Sequence, residues 1–267
     1  MGPWDNAMAY LERITIYPIK SLDGLDLAEA VVLPGGALAH DRQFALVDAD
    51  GGLINAKRTD RVHRVRARFD LSDWTVELGV EGEGDRLGFH LDGDRTALEA
   101  WLSDRLGQPV SLIDNPVGGF PDDTDSPGPT LVSRATLETV THWFPDLDLA
   151  EVQRRFRANL EIGGVEPFWE DHLCGASHPG TVRVGEVALE GTNPCARCVV
   201  PSRSSSRGDV TPEFAKRFSE RREATLPPWA DRSRFDHFYR LAVNTRLATG
   251  ESGVVRVGDP VQFVEPE

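Results

Sequence analysis

The residues best suited to chemistry are Asn193-Pro194-Cys195-Ala196-Arg197-Cys198, taken together with Arg157-Ala158-Asn159. A cysteine beside a fixed cation can hold its thiolate form, because positive charge lowers a thiol's pKa. A thiolate is a soft ligand for a transition metal and a good sulfur nucleophile. Guanidinium groups and a side-chain amide suit a polyanionic ligand rich in hydrogen-bonding edges. Spacing alone leaves Cys195-x-x-Cys198 open to other readings. It could be half of a zinc site completed by His172, Cys174 or His178, since structural zinc draws on compact ligand pairs. A thioredoxin-like redox pair would need a βαβ setting that is missing here. Two small buried hydrophobes are the third reading. Arg197 between the cysteines, with Pro194 fixing a turn in front, favours a reactive thiolate.

Other residues could serve the same ligand. Tyr17-Pro18-Ile19-Lys20-Ser21 puts a lysine and a serine at the end of a strand, where proline interrupts pairing. Only three of the 29 basic residues are lysines, so one at such a bend is a candidate anion contact. Asp41-Arg42 alone reads as a surface ion pair. Arg154, Arg155 and Arg157 run into Asn159 where a helix gives way to a strand, and could simply cap the helix C-terminus. The alternative has Arg157 gripping a phosphate and Asn159 hydrogen-bonding a heterocycle edge. Glu170-Asp171 could orient one of those arginines. Arg203 to Gly208 is polar, lacks apolar anchors and reads as a mobile loop.

The elements that must position these groups are mostly strands. Ile14–Tyr17, Phe44–Val47, Val62–Asp70, Trp74–Val80, Arg86–Leu91 and Val110–Ile113 show β-branched runs or alternation closed by turn residues. Thr96-x-x-Glu99 reads as a capping box, opening a helix that stops at Gly107. Ser133 and Asp148 read as caps of two further helices. Strands are expected at 160–162, 181–184 and 187–189, and Thr211-Pro212-Glu213 as a helix start. Residues 253–257 and 261–264 read as a hairpin-like pair around Gly258-Asp259-Pro260. The fold class is β-rich α+β. Residues 115–130, dense in Pro, Gly and Asp, divide the chain into 1–114 and 131–267. They are either a domain connection or a long active-site loop.

Bulk properties exclude some functions. The chain has 267 residues and a net charge of −14, which argues against nucleic-acid partners, since those are held by neutralising phosphates. No apolar run approaches the ~20 residues needed to span a bilayer, so no membrane partner is expected. The N-terminus does not look like a signal peptide, and three cysteines make no disulfide framework; a cytoplasmic setting follows. High acid with little lysine fits a halophile, whose surface carboxylates keep it hydrated, or a GC-rich genome.

In order along the chain, these motifs resemble a known family. Tyr17-Pro-Ile-Lys20-Ser21, Asp41-Arg42 and Lys57-Arg58 look like the N-terminal β-barrel domain that precedes a MOSC domain. Phe156-Arg157-Ala-Asn159-Leu, Glu170-Asp171, Pro194-Cys195-Ala-Arg197-Cys198 and Val257-Gly258-Asp259-Pro260-Val look like the MOSC domain itself. The resemblance implies molybdenum cofactor, a molybdopterin carrying Mo, and relatives such as the amidoxime-reducing component and its bacterial counterparts. It places the metal ligand on Cys198. Lys20, Ser21, Arg42, Ser133, Arg157, Asn159 and Arg197 would then hold the pterin and its phosphate. Ala158 stands where the family often has Pro. Pro201 to Ser206 replaces a common Asp-Pro segment beside the substrate side, which bears on substrate choice. A fused ferredoxin domain and a pyridoxal-phosphate desulfurase domain are not expected, so electrons would come from a separate donor such as a ferredoxin or flavin reductase.

Three functions compete at this point. The first is a molybdenum oxidoreductase acting on N-hydroxylated or related oxygenated small molecules, with Cys198 as the ligand. The second is a sulfur carrier using a Cys198 persulfide for metal–sulfur cluster or cofactor biosynthesis. The third is a zinc-stabilised binding module. Lys20, Ser21 and Arg42 favour the first, since a sulfur carrier has no need of them.

Overall fold

The computed structural model describes residues 9–175, 179–248 and 252–264. The chain opens with strands β1 (Tyr10–Ile16), β2 (Leu25–Leu27), β3 (Glu29–Val32), β4 (Phe44–Val47) and β5 (Leu53–Ile54). A meander follows, β6 (Val65–Asp70), β7 (Thr75–Val80) and β8 (Arg86–His90), then helix α1 (Arg95–Leu106) and β9 (Ser111–Asp114). Next come β10 (Leu131–Ser133), α2 (Arg134–Trp143), α3 (Leu149–Phe156) and β11 (Leu160–Gly163). The chain finishes with β12 (Thr181–Val184), β13 (Val187–Ala196), α4 (Phe214–Ala224), β14 (Arg240–Leu247), β15 (Gly253–Arg256) and β16 (Val261–Val264). This is the β-rich α+β fold expected.

Eight strands form the main sheet in the order β16-β12-β13-β14-β10-β11-β1-β2. Only β10–β11 is a parallel pair. The first strand of the chain therefore sits inside the sheet built by its second half. β3 likewise pairs with β15, so backbone hydrogen bonds cross the division drawn at 115–130. The reason is apolar content: Leu11, Ile14 and Ile16 of β1 are fully buried and share one core cluster with Leu131, Leu160, Ile162 and Val243. Each such side chain contributes roughly 1.5–3 kcal/mol over its exposed state. A second core joins β4, β6 and β7 to the inner face of α1, where Leu98, Leu102 and Leu106 recur every four residues. A third lies among α2, α3 and α4, around Leu137, Phe156, Phe214 and Phe218.

Local reading from sequence departs from the structure in several places. The capping box at Thr96 does not form: Asp94 is the N-cap, and Glu99 instead accepts from the Leu112 amide at 2.7 Å. α4 begins at Phe214, because Glu213 takes a left-handed φ of 54° and the Thr211-Pro212 pair stays in the turn. β15 and β16 are not a hairpin; the Gly258-Asp259-Pro260 turn carries the chain from a two-stranded ribbon with β3 to the sheet edge beside β12. β14 was not expected at all, since Arg240-Leu-Ala-Val-Asn-Thr-Arg-Leu shows no clean alternation. It is nevertheless the strand on which the cysteine segment is built.

Candidate functional site

One cavity of about 1270 Å³ gathers Lys20, Ser21, Arg42, Arg157, Asn159, Arg197 and Cys198. Three of these sit in left-handed backbone, Ser21 at φ 74°, Arg42 at 50° and Arg157 at 53°. A non-glycine residue there costs of order 1–3 kcal/mol and persists only where the surroundings enforce it. Arg157 shows how. It is the left-handed C-cap of α3, its amide bonded to the Gln153 carbonyl, and it turns the chain into β11 within three residues.

Arg157 lies 3.9 Å over the Tyr17 ring and donates through Nη1 to the Leu22 carbonyl at 2.7 Å. Its Nη2 is buried with no hydrogen-bond partner. Burial pulls this guanidinium below its ordinary pKa, and Tyr17 offsets that only in part. Arg42 differs: burial opposes its charge, but the Asp41 carboxylate beside it more than restores it. Asn159 is 2% exposed, and its amide is engaged on both sides. Oδ1 accepts from the Thr130 amide and hydroxyl at 3.2 and 3.1 Å, and Nδ2 donates to the Thr15 carbonyl at 3.0 Å. This amide therefore locks β1, β10 and β11 at the cavity wall, where a heterocycle contact had been expected of it.

Residues 118–128 run along the cavity rather than away from it. Gly119 makes this approach possible: at φ +64°, an added Cβ would lie 2.5 Å from the Asp41 carbonyl. The Phe120 amide then bonds the Arg42 carbonyl, and Lys20 donates to the Phe120 carbonyl and to Asp122, both at 2.7 Å. Lys57 stands 3.3 Å from the same carboxylate. Burial would raise the Asp122 pKa, but Lys20, Lys57 and Arg42 together bring it down to about 2. Burial lowers Lys20, which Asp122 partly corrects.

The cysteines lie where β13 leaves the sheet. The β13–β14 register slips between Pro194 and Ala196, a bulge centred on Cys195, and bulges re-aim side chains. Cys195 and Cys198 are both partly exposed and line the cavity. Arg197 donates from Nη1 to the Cys195 sulfur at 3.0 Å and from Nη2 to the Phe156 carbonyl. The cation thus serves the first cysteine directly, while Cys198 stands free toward the cavity.

Several expected residues lie elsewhere. Ser133 is fully buried as the N-cap of α2, accepting from the Thr136 amide and donating to the Glu166 carbonyl, and it does not reach the cavity. Its place as a cavity hydroxyl is taken by Thr130, three residues earlier. Glu170 and Asp171 orient none of the cavity arginines. Glu170 accepts from the Ser133 amide and the Thr136 hydroxyl, and Asp171 pairs with Arg222. The 203–208 segment is pinned rather than loose: Glu151 accepts from the Ser205 amide, and Arg66 donates to the Ser205 carbonyl at 3.1 Å. Cys174 is buried and pushed up to about 12, an inert thiol. Among the described residues no three His, Cys, Asp or Glu side chains are placed to hold a metal; His178 lies outside them.

Sequence reasoning missed Tyr17, Thr130, Asp122, His63 and Arg66 as cavity residues. Tyr17 stood inside a quoted motif as a mere strand residue. Arg66 lay within the alternating strand at Val62–Asp70, and alternation cannot distinguish a solvated side from one facing a polar cavity. Among the described residues, eleven Lys or Arg side chains line the cavity against seven Asp or Glu, a formal excess of four positive charges. On a chain of net charge −14 this inverts the surface charge locally, which focuses anions into the cleft. No helix among the described residues is long and apolar enough to cross a membrane.

Comparison with known proteins fits this layout. A family model for the MOSC N-terminal beta barrel domain matches residues 8–105, and one for the MOSC domain matches residues 130–262. Among curated proteins, a molybdenum cofactor sulfurase of Danio rerio is 25% identical, over 84% of this chain and 32% of its own length. That of Arabidopsis thaliana is 22% identical, over 75% of this chain and 29% of its own. The chain thus spans about a third of the length of these relatives. Among solved structures, YiiM from Geobacillus stearothermophilus aligns with a TM-score of 0.34 and 13% identity, over 52% of this chain and 54% of that one.

Proposed function

From the premise that this chain belongs to the MOSC-domain family, with the N-terminal barrel domain ahead of the MOSC domain, we propose that its cavity binds molybdenum cofactor and that the protein is a molybdenum-dependent oxidoreductase. The observation that carries the reading is the buried, unpartnered Nη2 of Arg157 in a cavity of net positive charge that also holds Cys198. A buried cation without a counterion is costly unless an anion is supplied from outside.

The residues present fit such a group. Lys20, Arg42 and Arg157 offer the guanidinium and ammonium donors that a pterin phosphate needs. Ser21 and Thr130 add hydroxyls at the same wall. Cys198 would be the sulfur donor to the metal, a soft ligand suited to it. When bound, the cofactor would supply a redox metal able to take an oxygen atom from an N-hydroxylated or related oxygenated substrate. The chain's part is to grip and orient. Arg197 ties the cysteine turn to the end of α3 through the Phe156 carbonyl, so the thiol turn and Arg157 move as one unit. Asn159 fixes the strands below them. A small-molecule substrate and a separate electron donor, a ferredoxin or flavin reductase, complete the proposal.

A second reading is a sulfur carrier with a Cys198 persulfide, favoured by the molybdenum cofactor sulfurases among the relatives. One experiment separates them. Purified wild type, Cys198→Ser and Cys195→Ser are incubated with molybdenum cofactor, and metal, pterin and cyanide-labile sulfur are assayed. Near one molybdenum and one pterin per wild-type chain, with the metal's thiolate signature lost only in Cys198→Ser, is the expected outcome. Labile sulfur without metal, lost in the same variant, would transfer the assignment to sulfur delivery.

A further inference from the structure

The cavity has a second cationic end, formed by residues outside the set assigned to the pterin phosphate. Arg203 lines it five residues after Cys198, on the segment that follows the short helical turn Val200–Ser202. Arg203 donates from Nη1 to the Gly208 carbonyl at 2.9 Å, and its Nε is buried with no hydrogen-bond partner. Among the described residues no carboxylate lies within ion-pair distance of it. Arg66 lines the same end; it meets Asp23 at 3.3 Å and Glu81 at 3.6 Å, yet its Nε also lacks a hydrogen bond. His63 stands among these groups, buried and feeling the charge of Arg203, Arg157 and Arg66, so it is held neutral there. The backbone around Arg203 is rigid: Arg155 donates to the Pro201 carbonyl, and the Thr211 amide to that of Ser202. A guanidinium held this firmly, buried in part and without a counterion, is built to receive an anion.

We propose that Arg203 forms an oxyanion subsite in the cavity that Cys198 also lines, one that selects substrates carrying a carboxylate, phosphate or similar group. The proposal rests on the reading of Cys198 as the reactive centre, and it does not involve the residues assigned to the pterin phosphate. The segment 201–206 thereby becomes a determinant of substrate charge.

The test uses the full chain without cofactor and two alkylating probes, anionic iodoacetate and neutral iodoacetamide. Their rate ratio at one thiol cancels that thiol's ionisation, leaving the field that the reagent meets. Cleavage after Arg197 places Cys195 and Cys198 on different peptides, so mass spectrometry reads Cys198 alone. In wild type, iodoacetate labelling should saturate and be suppressed by inorganic phosphate. Arg203→Gln should lower the ratio roughly tenfold, and Arg203→Lys should restore part of it. An unchanged ratio in Arg203→Gln overturns the subsite, as does unsaturated, phosphate-insensitive labelling of wild type should that variant not fold. Molybdenum cofactor retention is measured alongside. Loss of cofactor in Arg203→Gln would make Arg203 a cofactor contact and end the proposal. A wild type that binds no cofactor but shows the ratio change would keep the subsite and remove the oxidoreductase reading.

Discussion

The buried guanidinium of Arg222 and the half-buried one of Arg157 are treated in opposite ways. Arg222 of α4 is 1% exposed, pairs with Asp171 and lies over the rings of Phe168 and Phe235 at 4.1 and 5.0 Å. Arg157 also lies over a ring, that of Tyr17, but among the described residues has no carboxylate within ion-pair distance, and it opens onto the cavity. Both keep nitrogen atoms without hydrogen bonds: Nε and Nη1 in Arg222, Nη2 in Arg157. Unmatched donors alone therefore do not mark a binding site here. The charge balance does. The fold supplies a counterion to Arg222 in the core, and to Arg42 and Arg66 at the cavity; for Arg157 the counterion is left to a ligand.

The contrast can be broken most sharply by removing each charge. Arg222→Met leaves the Asp171 carboxylate buried without its cation, and should cost about 3–5 kcal/mol of unfolding free energy. Arg157→Met removes an uncompensated charge and one bond to a carbonyl, so its stability should stay within about 1 kcal/mol of wild type. Its affinity for inorganic phosphate should fall. Urea unfolding with phosphate titration of both variants decides the matter, and a comparable stability loss in the two would erase the distinction.

Glu170 sharpens the comparison as a buried acid with no ion-pair partner among the described residues. Burial, reinforced by Asp171 alongside, pushes it up to about 7. Because the folded pKa lies above the ordinary 4.5, the folded state binds the extra proton between these values. Stability from this group is thus fully present below about pH 4.5 and is lost as the pH rises through about 7. Glu170→Gln keeps an oxygen for the Ser133 amide and cannot ionise. Its stability relative to wild type should climb across that window, reaching at least about 1 kcal/mol above pH 7. A difference that stays flat with pH would mean that Glu170 is charged in the fold.

Much of this was legible in the sequence, and the failures share a cause. Strand runs at Phe44–Val47 and Thr181–Val184 came through unchanged, as did the caps at Ser133 and Asp148, because each is a local pattern with a local physical reason. The cavity residues Lys20, Arg157 and Cys198 stood out because charged or reactive groups at turns have few structural uses, whereas Arg42, which alone read as a surface ion pair, came in through the family resemblance. What failed needed a partner that periodicity does not name. Ser133 was assigned to the ligand although its cap already consumed the hydroxyl. The 203–208 segment looked loose because Glu151, its anchor, lies over fifty residues away. β15 and β16 looked like a hairpin because sequence neighbours usually pair.

Asp122 gives the smallest and most discriminating test, since it is a counterion that the cavity holds on an exposed side chain. It bridges Lys20 and Lys57, which makes it a competitor for any anion those lysines would bind. Its side chain is 61% exposed, so water screens the pairs and each is worth at most about 1 kcal/mol. Asp122→Asn should therefore leave stability nearly unchanged while strengthening inorganic phosphate binding, by roughly fivefold at low salt and less as salt is added. Calorimetric titration at two ionic strengths reads both the gain and its screening. Weaker phosphate binding in Asp122→Asn would reverse the assignment: the carboxylate would then be positioning the two lysines for the ligand, and the cavity would carry a structural counterion just as the core does at Arg222.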